Sequence, residues 1–228
     1  MTEHETKSRA DLLRRWIILC VGLILMAVGV AFSIKAALGT SPISSVPFVT
    51  SVISGLSVGE TTIIMNAIFV LIQIGILRRR FEWFQLLQLP ASVLFGVMID
   101  VVGDAIAGIS YSNYFQQWLL CIVGILLLAF GVSLEVEAGL ITNAGEGIVL
   151  AICKVTPMKF GNMKVVFDVT LVCISVILSF LFLGELNGVR EGTIAAALLV
   201  GQITKQFGKM IKKVEGLSLS PLHRPKTL

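Results

Sequence analysis

The stretch WIILCVGLILMAVGVAFSIKAALGT at residues 16–40 returns, in altered form, as WLLCIVGILLLAFGVSLEVEAGLIT at residues 118–142. With an offset of 102 residues, ten of the 25 aligned positions are identical, including a tryptophan, a threonine and two glycines. Apolar segments match by chance at leucine and valine, but not easily at these other residue types. The match therefore indicates that the chain contains two copies of one unit.

The composition of the chain places both copies in a lipid bilayer. Of the 228 residues, 56% are hydrophobic and only 14% are charged, whereas soluble domains carry about 25% charged residues. The four cysteines lie in separate apolar stretches and the two histidines in the polar tails, so no metal site, cofactor or disulfide framework is expected. The net charge of +4 comes from basic residues beside apolar segments, which indicates membrane topology and anionic headgroups instead of nucleic acid.

Six stretches are long and apolar enough to be membrane-spanning helices. The first, residues 16–38, would be about 34 Å long at 1.5 Å per residue, against roughly 30 Å for a hydrocarbon core. The other predicted spans are residues 61–77, 84–106, 118–138, 163–182 and 192–211. Two further apolar stretches, residues 42–56 and 144–156, are too short to cross and are predicted to be re-entrant or half-membrane helices.

The distribution of Lys and Arg distinguishes two arrangements of the copies. If the short stretches return to their own side, each copy crosses three times and the copies are inverted; if they cross, the copies run parallel. The inverted arrangement puts 16 of the 18 basic residues on the cytoplasmic side, whereas the parallel one moves Arg78, Arg79 and Arg80 outside, against the positive-inside rule. The predicted fold is therefore an all-α polytopic membrane protein with two inverted repeats, each of three spans plus one short re-entrant or half helix.

This arrangement divides the chain into four parts. Residues 1–15 are predicted to be a cytoplasmic N-terminal tail, 16–106 the first membrane repeat, 118–211 the second, and 212–228 a cytoplasmic C-terminal tail. An even number of crossings places both termini on the same side, and the distribution of Lys and Arg makes this the cytoplasmic side.

The breaks before the two short helices supply the first candidates for solute binding. Ser41 is placed as an N-cap before Pro42 at the first helical position, and Asn143 can cap the other short helix. Each new N-terminus exposes unpaired N–H groups and a partial positive charge, which suit an anion. The binding candidates are Thr40, Ser41, Thr142 and Asn143, and the alternative interpretation is that they form ordinary turns.

Glu146, Asn66 and Asp168 complete the predicted binding site. Glu146 follows the second break in a stretch poor in charge, and an ionisable group at membrane depth must face a partner or water. Asn66 and Asp168 are equivalent under the 102-residue offset and lie one to two turns inside their spans. Glu146 and Asp168 are candidates for proton or cation coupling. The alternatives are an interfacial carboxylate that caps its own helix for Glu146, and interhelical hydrogen bonding for the other two.

Two further features concern contacts between helices. Lys35 aligns with Glu137 across the copies, so the pair is a candidate for an ion pair or gate, with snorkelling at the span ends as the alternative. Glycines also recur seven residues apart, on one helix face, where they would permit close packing. These pairs are Gly22 and Gly29, Gly96 and Gly103, Gly124 and Gly131, and Gly201 and Gly208.

Four short glycine-anchored motifs give the chain a family resemblance. They are Leu38-Gly39-Thr40-Ser41-Pro42, Gly55-Leu56-Ser57-Val58-Gly59, Gly96-Val97-Met98-Ile99-Asp100 and Val189-Arg190-Glu191-Gly192-Thr193. Over nearly its whole length the chain resembles the bacterial YczE/YyaS/YitT-type membrane proteins, a largely uncharacterised family. The resemblance implies a polytopic inner-membrane protein and adds Arg190, Glu191, Gly192 and Thr193 as candidate site residues. Arg190 and Glu191 are candidates for a gate or ion pair, and the alternative is a simple interfacial ion pair at the start of the last span. The chain departs from the family pattern at Thr40-Ser41-Pro42-Ile43, where a Gly-Pro-Trp-like turn is expected.

These features predict a small secondary transporter for a small organic anion or zwitterion, proton-coupled, with its site at the interface of the repeats. Membrane lipids and a small-molecule solute are the expected partners, and self-association into a homo-oligomer is left open. The alternative function is a membrane accessory or regulatory protein that assists another complex without transport. An enzyme is not expected, because the sequence offers no nucleophile–base or metal constellation.

Overall fold

The computed structural model describes residues 3–215, and every regular element in that range is helical. The elements in chain order are the α-helices α1 (Glu3–Lys35), α2 (Pro42–Ser54), α3 (Val58–Leu77), α4 (Gln88–Ala105), α5 (Tyr114–Ala138), α6 (Ala144–Val155), α7 (Phe160–Leu183) and α8 (Glu191–Glu215). Two 3₁₀ segments, Arg78–Arg80 and Trp83–Leu87, join α3 to α4. Each half of the chain thus has the same order of one long, one short and two long helices.

The prediction of an all-α polytopic membrane protein is confirmed. Among the described residues, five helical segments are long and apolar enough to cross a membrane, namely Asp11–Lys35, Val58–Arg80, Trp83–Ala105, Tyr114–Ala138 and Phe160–Leu183. The two short stretches are helices of 13 and 12 residues, about 20 and 18 Å long, which is less than a hydrocarbon core.

The ends of the chain differ from the predicted spans and tails. The stretch 192–211 does form a helix within α8, but α8 is not among the five apolar segments, because polar and basic residues such as Gln202, Lys205 and Lys209 interrupt it. Helix α1 begins at Glu3, well inside the predicted tail 1–15. Residues 1–2 and residues 216–228 of the predicted tail 212–228 lie outside the described residues.

Large apolar side chains cover the outer faces of the long helices. On α7, for example, Val166, Phe180 and Leu181 are more than half exposed. Such a surface is unfavourable in water but suits hydrocarbon, so membrane lipids contact these faces.

Helices α1 and α5 form the centre of the fold, where they cross at four glycines. A Cβ placed on Gly29 would lie 2.7 Å from the carbonyl oxygen of Gly124, and one on Gly22 would lie 2.9 Å from that of Gly131. Because Gly22 faces Gly131 and Gly29 faces Gly124, the two helices run antiparallel. The absence of side chains lets the backbones touch, as small residues do in membrane helix pairs.

The remaining helices pack in pairs around this crossing. Helix α4 packs against α1, and α8 against α5. Each short helix packs against a long helix of the other half, α2 against α7 and α6 against α3. The short helices are therefore enclosed by protein from both halves, which is the condition for irregular backbone at membrane depth.

The prediction of close packing at every glycine pair is wrong for three members. A Cβ added to Gly96 would lie 2.6 Å from the carbonyl oxygen of Gly59. A Cβ added to Gly103, Gly201 or Gly208 would have no neighbouring atom within 4 Å. The seven-residue spacing fixes which residues share a helix face, but it does not determine whether a neighbouring helix covers that face.

The N-terminus of α3 is held by a side chain from α4. Asp100 accepts the hydroxyl of Ser57 at 2.6 Å and the N–H of Gly59 at 2.8 Å, so one carboxylate satisfies the N-cap residue and a first-turn donor. Anions are also stabilised at this end of a helix by its dipole.

Replacing Asp100 with alanine is therefore expected to destabilise the protein by about 0.5–2 kcal/mol, the range for a lost helix cap. Thermal unfolding of the purified variant in detergent measures this loss. Asp104→Ala, one turn further along α4 on an exposed side chain, is the matched control and should change the stability little. Equal stability of the two variants would contradict the capping role.

Exposed aromatic residues lie at both ends of α4. Trp83 and Phe84 precede the helix, and Tyr114 and Phe115 follow the connection to α5; all four are at least half exposed. Aromatic side chains concentrate at the two membrane–water interfaces. These two groups, the aromatic rims, therefore mark where the hydrocarbon begins and ends along α4.

Candidate functional site

The two short helices meet at their first turns. A Cβ on Gly145 of α6 would collide with the side chain of Ile43 of α2, and it would lie 3.8 Å from the ring of Phe69 of α3. Glycine at position 145 thus lets two helix N-termini approach each other inside the protein. The polar groups at the two breaks find their hydrogen-bond partners in different ways.

The first break is closed by the segment that precedes α8. The N–H of Thr40 donates to the carbonyl of Gly188 at 3.0 Å, and the Arg190 guanidinium donates to the carbonyl of Ala37 at 2.9 Å. Ser41 occupies the N-cap of α2 as predicted, but its hydroxyl donates to another side chain and does not cap the helix. The polar groups of this break are therefore engaged within the chain.

The second break is closed by a carboxylate from the preceding helix. Glu135, in the last turn of α5, accepts the N–H of Asn143 through Oε1. Asn143 in turn caps α6, as predicted, by accepting the N–H of Gly145 at 3.4 Å. Glu135 is 2% exposed, and its Oε2 has no hydrogen-bond partner. An unpartnered carboxylate oxygen in the membrane interior is energetically costly, so it requires a proton, a water or a cation.

A small cavity lies beside Glu135, between the first half of the chain and the second break. Its volume of about 10 Å³ is close to the 10–15 Å³ that one buried water requires. Its walls are Leu19, Leu23, Asn66, Gln88, Ala91, Ser92, Phe95, Glu135, Ile141, Thr142 and Asn143. Six of these residues offer polar atoms, and none carries a positive charge.

Two buried glutamines fix the start of α6 against the first half. The Gln73 amide of α3 donates to the carbonyl of Ala144 at 3.1 Å and to Gln88 Oε1 at 3.0 Å. Gln88 donates onward to Gln85 at 2.6 Å. Gln73 and Gln88 are each 1% exposed, and a Cβ on Gly147 would lie 2.7 Å from Gln73. The glutamine pair thus joins α3 and α4 to the first turn of α6.

Further charged side chains lie next to the second break. Glu146 of α6 interacts electrostatically with Glu135 and with Lys164 and Asp168 of α7. Lys164 and Asp168 form an ion pair at 2.7 Å, with side chains 27% and 22% exposed. Two carboxylates and one ion pair therefore share a part of the protein in which charge is otherwise rare.

The corresponding part of the first half contains no ionisable side chain at the equivalent positions. Under the 102-residue offset, the four second-half residues Glu135, Glu146, Lys164 and Asp168 correspond to Ser33, Ser44, Thr62 and Asn66. All four first-half residues are buried. The two halves resemble each other in helix order, but only the second half carries charge at these four positions.

The structure brings most of the predicted binding residues together. Asn66, Thr142 and Asn143 line the cavity, and Glu146 and Asp168 interact beside it. Thr40 and Ser41 lie at the first break and are not part of the cavity wall.

The predicted gate residues lie at the ends of the helices. Lys35 donates to the carbonyl of Ala107 at 2.7 Å, and the antiparallel crossing of α1 and α5 puts it far from Glu137. Arg190 and Glu191 form an ion pair with each other at 3.3 Å, and both side chains are about half exposed. Arg190 and Glu191 thus form an ion pair between adjacent residues at the start of α8, as in the alternative to a gate.

Sequence reasoning missed Glu135, Gln73 and Gln88. A signal for Glu135 was present, since it follows Gly131 by four residues and Gly124 by eleven, and so lies on the helix face that packs against α1. Glu137, two residues further on, lies on another side of the helix. The two glutamines had no comparable signal in the sequence.

Comparison with known proteins gives matches that span most of the chain. A family model described as "Family of unknown function (DUF6198)" matches residues 13–209. The chain is 27% identical to "Uncharacterized membrane protein YczE" of Bacillus subtilis (strain 168), over 86% of each protein. It is 22% identical to "Uncharacterized protein YyaS" of the same organism, over 85% of this chain and 92% of the relative. No solved structure matches. These matches agree with the family resemblance inferred from the glycine-anchored motifs.

Proposed function

We propose that this chain, which belongs to the DUF6198 family of unknown function, is a small secondary transporter. The solute is a small organic anion or zwitterion, and transport is coupled to protons. The solute site lies where the two short helices meet, between two inverted repeats. We place the protein in the bacterial inner membrane with both termini in the cytoplasm, because this orientation puts most of the Lys and Arg residues inside.

The helix arrangement supports inversion of the two repeats. The equivalent helices α1 and α5 run antiparallel and contact each other through equivalent glycines, Gly22 with Gly131 and Gly29 with Gly124. The cross-half contacts of α2 with α7 and of α6 with α3 are also equivalent under exchange of the halves. Inverted repeats with short or interrupted helices at a central site are a common architecture of secondary transporters.

The observation that carries the proposal is the cluster of charged side chains at the second break. Ionisable residues within a membrane protein are rare and usually mark the pathway of a substrate or ion. Glu146, Lys164 and Asp168 interact there, beside the N-terminus of α6 and its dipole. An anionic group of a solute suits the helix N-terminus, and an amino group suits the carboxylates. In the described conformation the cavity holds about one water, so the halves must move apart to admit a solute.

Uptake into proteoliposomes tests the proposal. The purified protein is reconstituted and offered a panel of radiolabelled small carboxylates and amino acids, with and without a pH gradient. A solute that accumulates only with the gradient is the expected result. Glu146→Gln should reduce the gradient-driven part roughly tenfold, within the range of typical coupling free energies.

The matched control is Glu185→Gln, which changes an exposed carboxylate in the connection between α7 and α8. It should retain uptake. Unchanged coupled uptake by Glu146→Gln would remove Glu146 from the mechanism, and absence of uptake for the whole panel would count against transport of these solutes.

The second candidate function is that of an accessory or regulatory membrane protein. The observation that favours it is the open glycine face of α8, where a Cβ added to Gly201 or Gly208 would have no atom within 4 Å. Such a face can accept a helix of another protein. Co-purification of one partner in a fixed ratio, together with no solute uptake, would favour this function over transport.

A further inference from the structure

We propose that the cavity beside Glu135 is a binding site for one monovalent cation of the size of Na⁺. Glu135 provides the charge, and the polar atoms of Asn66, Thr142 and neighbouring cavity residues complete the coordination. Binding stands on the geometry of the cavity and on the buried Glu135 carboxylate. A part for this ion in transport, beside the proton coupling proposed above, rests on the proposed function.

The first argument is the uncompensated charge of Glu135. Its Oε1 accepts the Asn143 N–H, but Oε2 is buried without a partner. Glu135 also lies in the last turn of α5, where the helix dipole disfavours a negative charge. No Lys, Arg or His belongs to the cavity wall. A bound cation would remove both penalties at once.

A proton alone satisfies Glu135 less well. A protonated carboxyl needs an acceptor for its new O–H, whereas the structure gives Oε2 no hydrogen-bond partner. Proton binding would therefore also require a water in the cavity. A cation needs only oxygen ligands, and these are present.

The second argument is the chemistry and size of the cavity. Carboxylate, amide and hydroxyl oxygens are the ligands of hard cations. The cavity wall contains these groups from Glu135, Asn66, Gln88, Ser92 and Thr142. The space suits one water-sized occupant, which excludes an organic cation.

The number of carboxylates favours a monovalent ion. Only one acidic residue, Glu135, belongs to the cavity wall, and no three His, Cys, Asp or Glu side chains within residues 3–215 are grouped as metal ligands. Glu146 interacts electrostatically with Glu135 but lies outside the wall, beside Lys164. The one carboxylate that belongs to the wall balances the charge of Na⁺, whereas a divalent ion usually has more than one carboxylate ligand.

Thermal unfolding of the purified full-length protein tests the site without any transport. The protein is unfolded in NaCl, KCl or choline chloride at one ionic strength, so that non-specific salt effects are equal. Once Na⁺ exceeds its dissociation constant about tenfold, it should raise Tm by roughly 3–6 °C over choline. Equilibrium binding of radioactive Na⁺ should give one ion per chain.

Variants then assign the effect to this cavity. Glu135→Gln should lose the Na⁺-dependent shift and should be at least as stable as the wild type in choline, because the uncompensated charge is gone. Asn66→Asp adds a second carboxylate to the wall and should lower the Na⁺ concentration needed for half of the shift. Glu185→Gln, outside the cavity, should keep the wild-type response.

Two outcomes would overturn the proposal. Equal Tm values of the wild type in all three salts would show that the cavity binds no cation, so that a water or a proton satisfies Glu135 instead. A full Na⁺ shift in Glu135→Gln would place the ion elsewhere. Because neither readout involves solute movement, Na⁺ binding without uptake would refute the transport function alone, and uptake without Na⁺ binding would refute this site alone.

Discussion

Gly29→Ala is expected to destabilise the protein by about 3 kcal/mol, which is at the upper end for one added methyl group in a packed interior. The new Cβ would lie 2.5 Å from the Leu128 nitrogen and 2.7 Å from the Gly124 carbonyl oxygen. Both are backbone atoms that no rotamer change can move. Helices α1 and α5 must therefore separate, which disturbs every helix packed on them. The measurement is thermal unfolding in detergent, together with the yield of folded protein.

The matched control for this variant is Gly75→Ala in α3. A Cβ on Gly75 has no atom within 4 Å, and alanine is favoured over glycine inside a helix by up to about 1 kcal/mol. Gly75→Ala should thus be equal to the wild type or slightly more stable. If both variants had the same stability, the close crossing of α1 and α5 would be refuted.

Gln73→Leu is expected to destabilise the protein by roughly 3 kcal/mol. Leucine fills a similar volume but donates no hydrogen bond, so the amide oxygen of Gln88 loses its buried donor, and the carbonyl of Ala144 keeps only its bond within α6. A buried polar group left without its partner costs about 1–3 kcal/mol, and the lost bond to Ala144 adds to this cost. The loss should appear in thermal unfolding and as weaker protection of the first turn of α6 in hydrogen exchange.

Gln202→Leu on α8 makes the same chemical change at an exposed position. Its stability should stay within about 0.5 kcal/mol of the wild type, as for most surface substitutions. A Gln73→Leu protein as stable as this control would show that the glutamine pair does not hold α6.

The membrane fold and the two short helices followed from simple physical rules. The predicted short stretch 144–156 and the observed α6 (Ala144–Val155) differ by one residue, because Asn143 is a strong cap and the apolar run ends near Thr156. Helix α8 was harder to predict, since polar and basic residues interrupt the apolar pattern of its second half although the helix packs on α5.

The candidate site was predicted only in part. Asn143 and Glu146 were found because they stand next to a break in the apolar pattern, where unpaired backbone groups and charge are conspicuous. Glu135 lies inside an apolar span, and its burial depends on the rotation of α5 against α1. The hydrogen bonds of Gln73 depend on contacts between residues 71 positions apart in the chain, which no local pattern encodes.

The aromatic rims have a consequence for the choice of lipid. Helix α4, which lies between the two rims in the chain, has 18 residues and is about 27 Å long. A bilayer with a thicker hydrocarbon core must become thinner around the protein. In a bilayer with a thinner core, either the bilayer thickens locally or the helices tilt. Each adjustment costs a fraction of a kcal/mol for each ångström of mismatch. The length of the lipid acyl chains therefore affects how the helices tilt and in which membranes the protein accumulates, without any bound ligand.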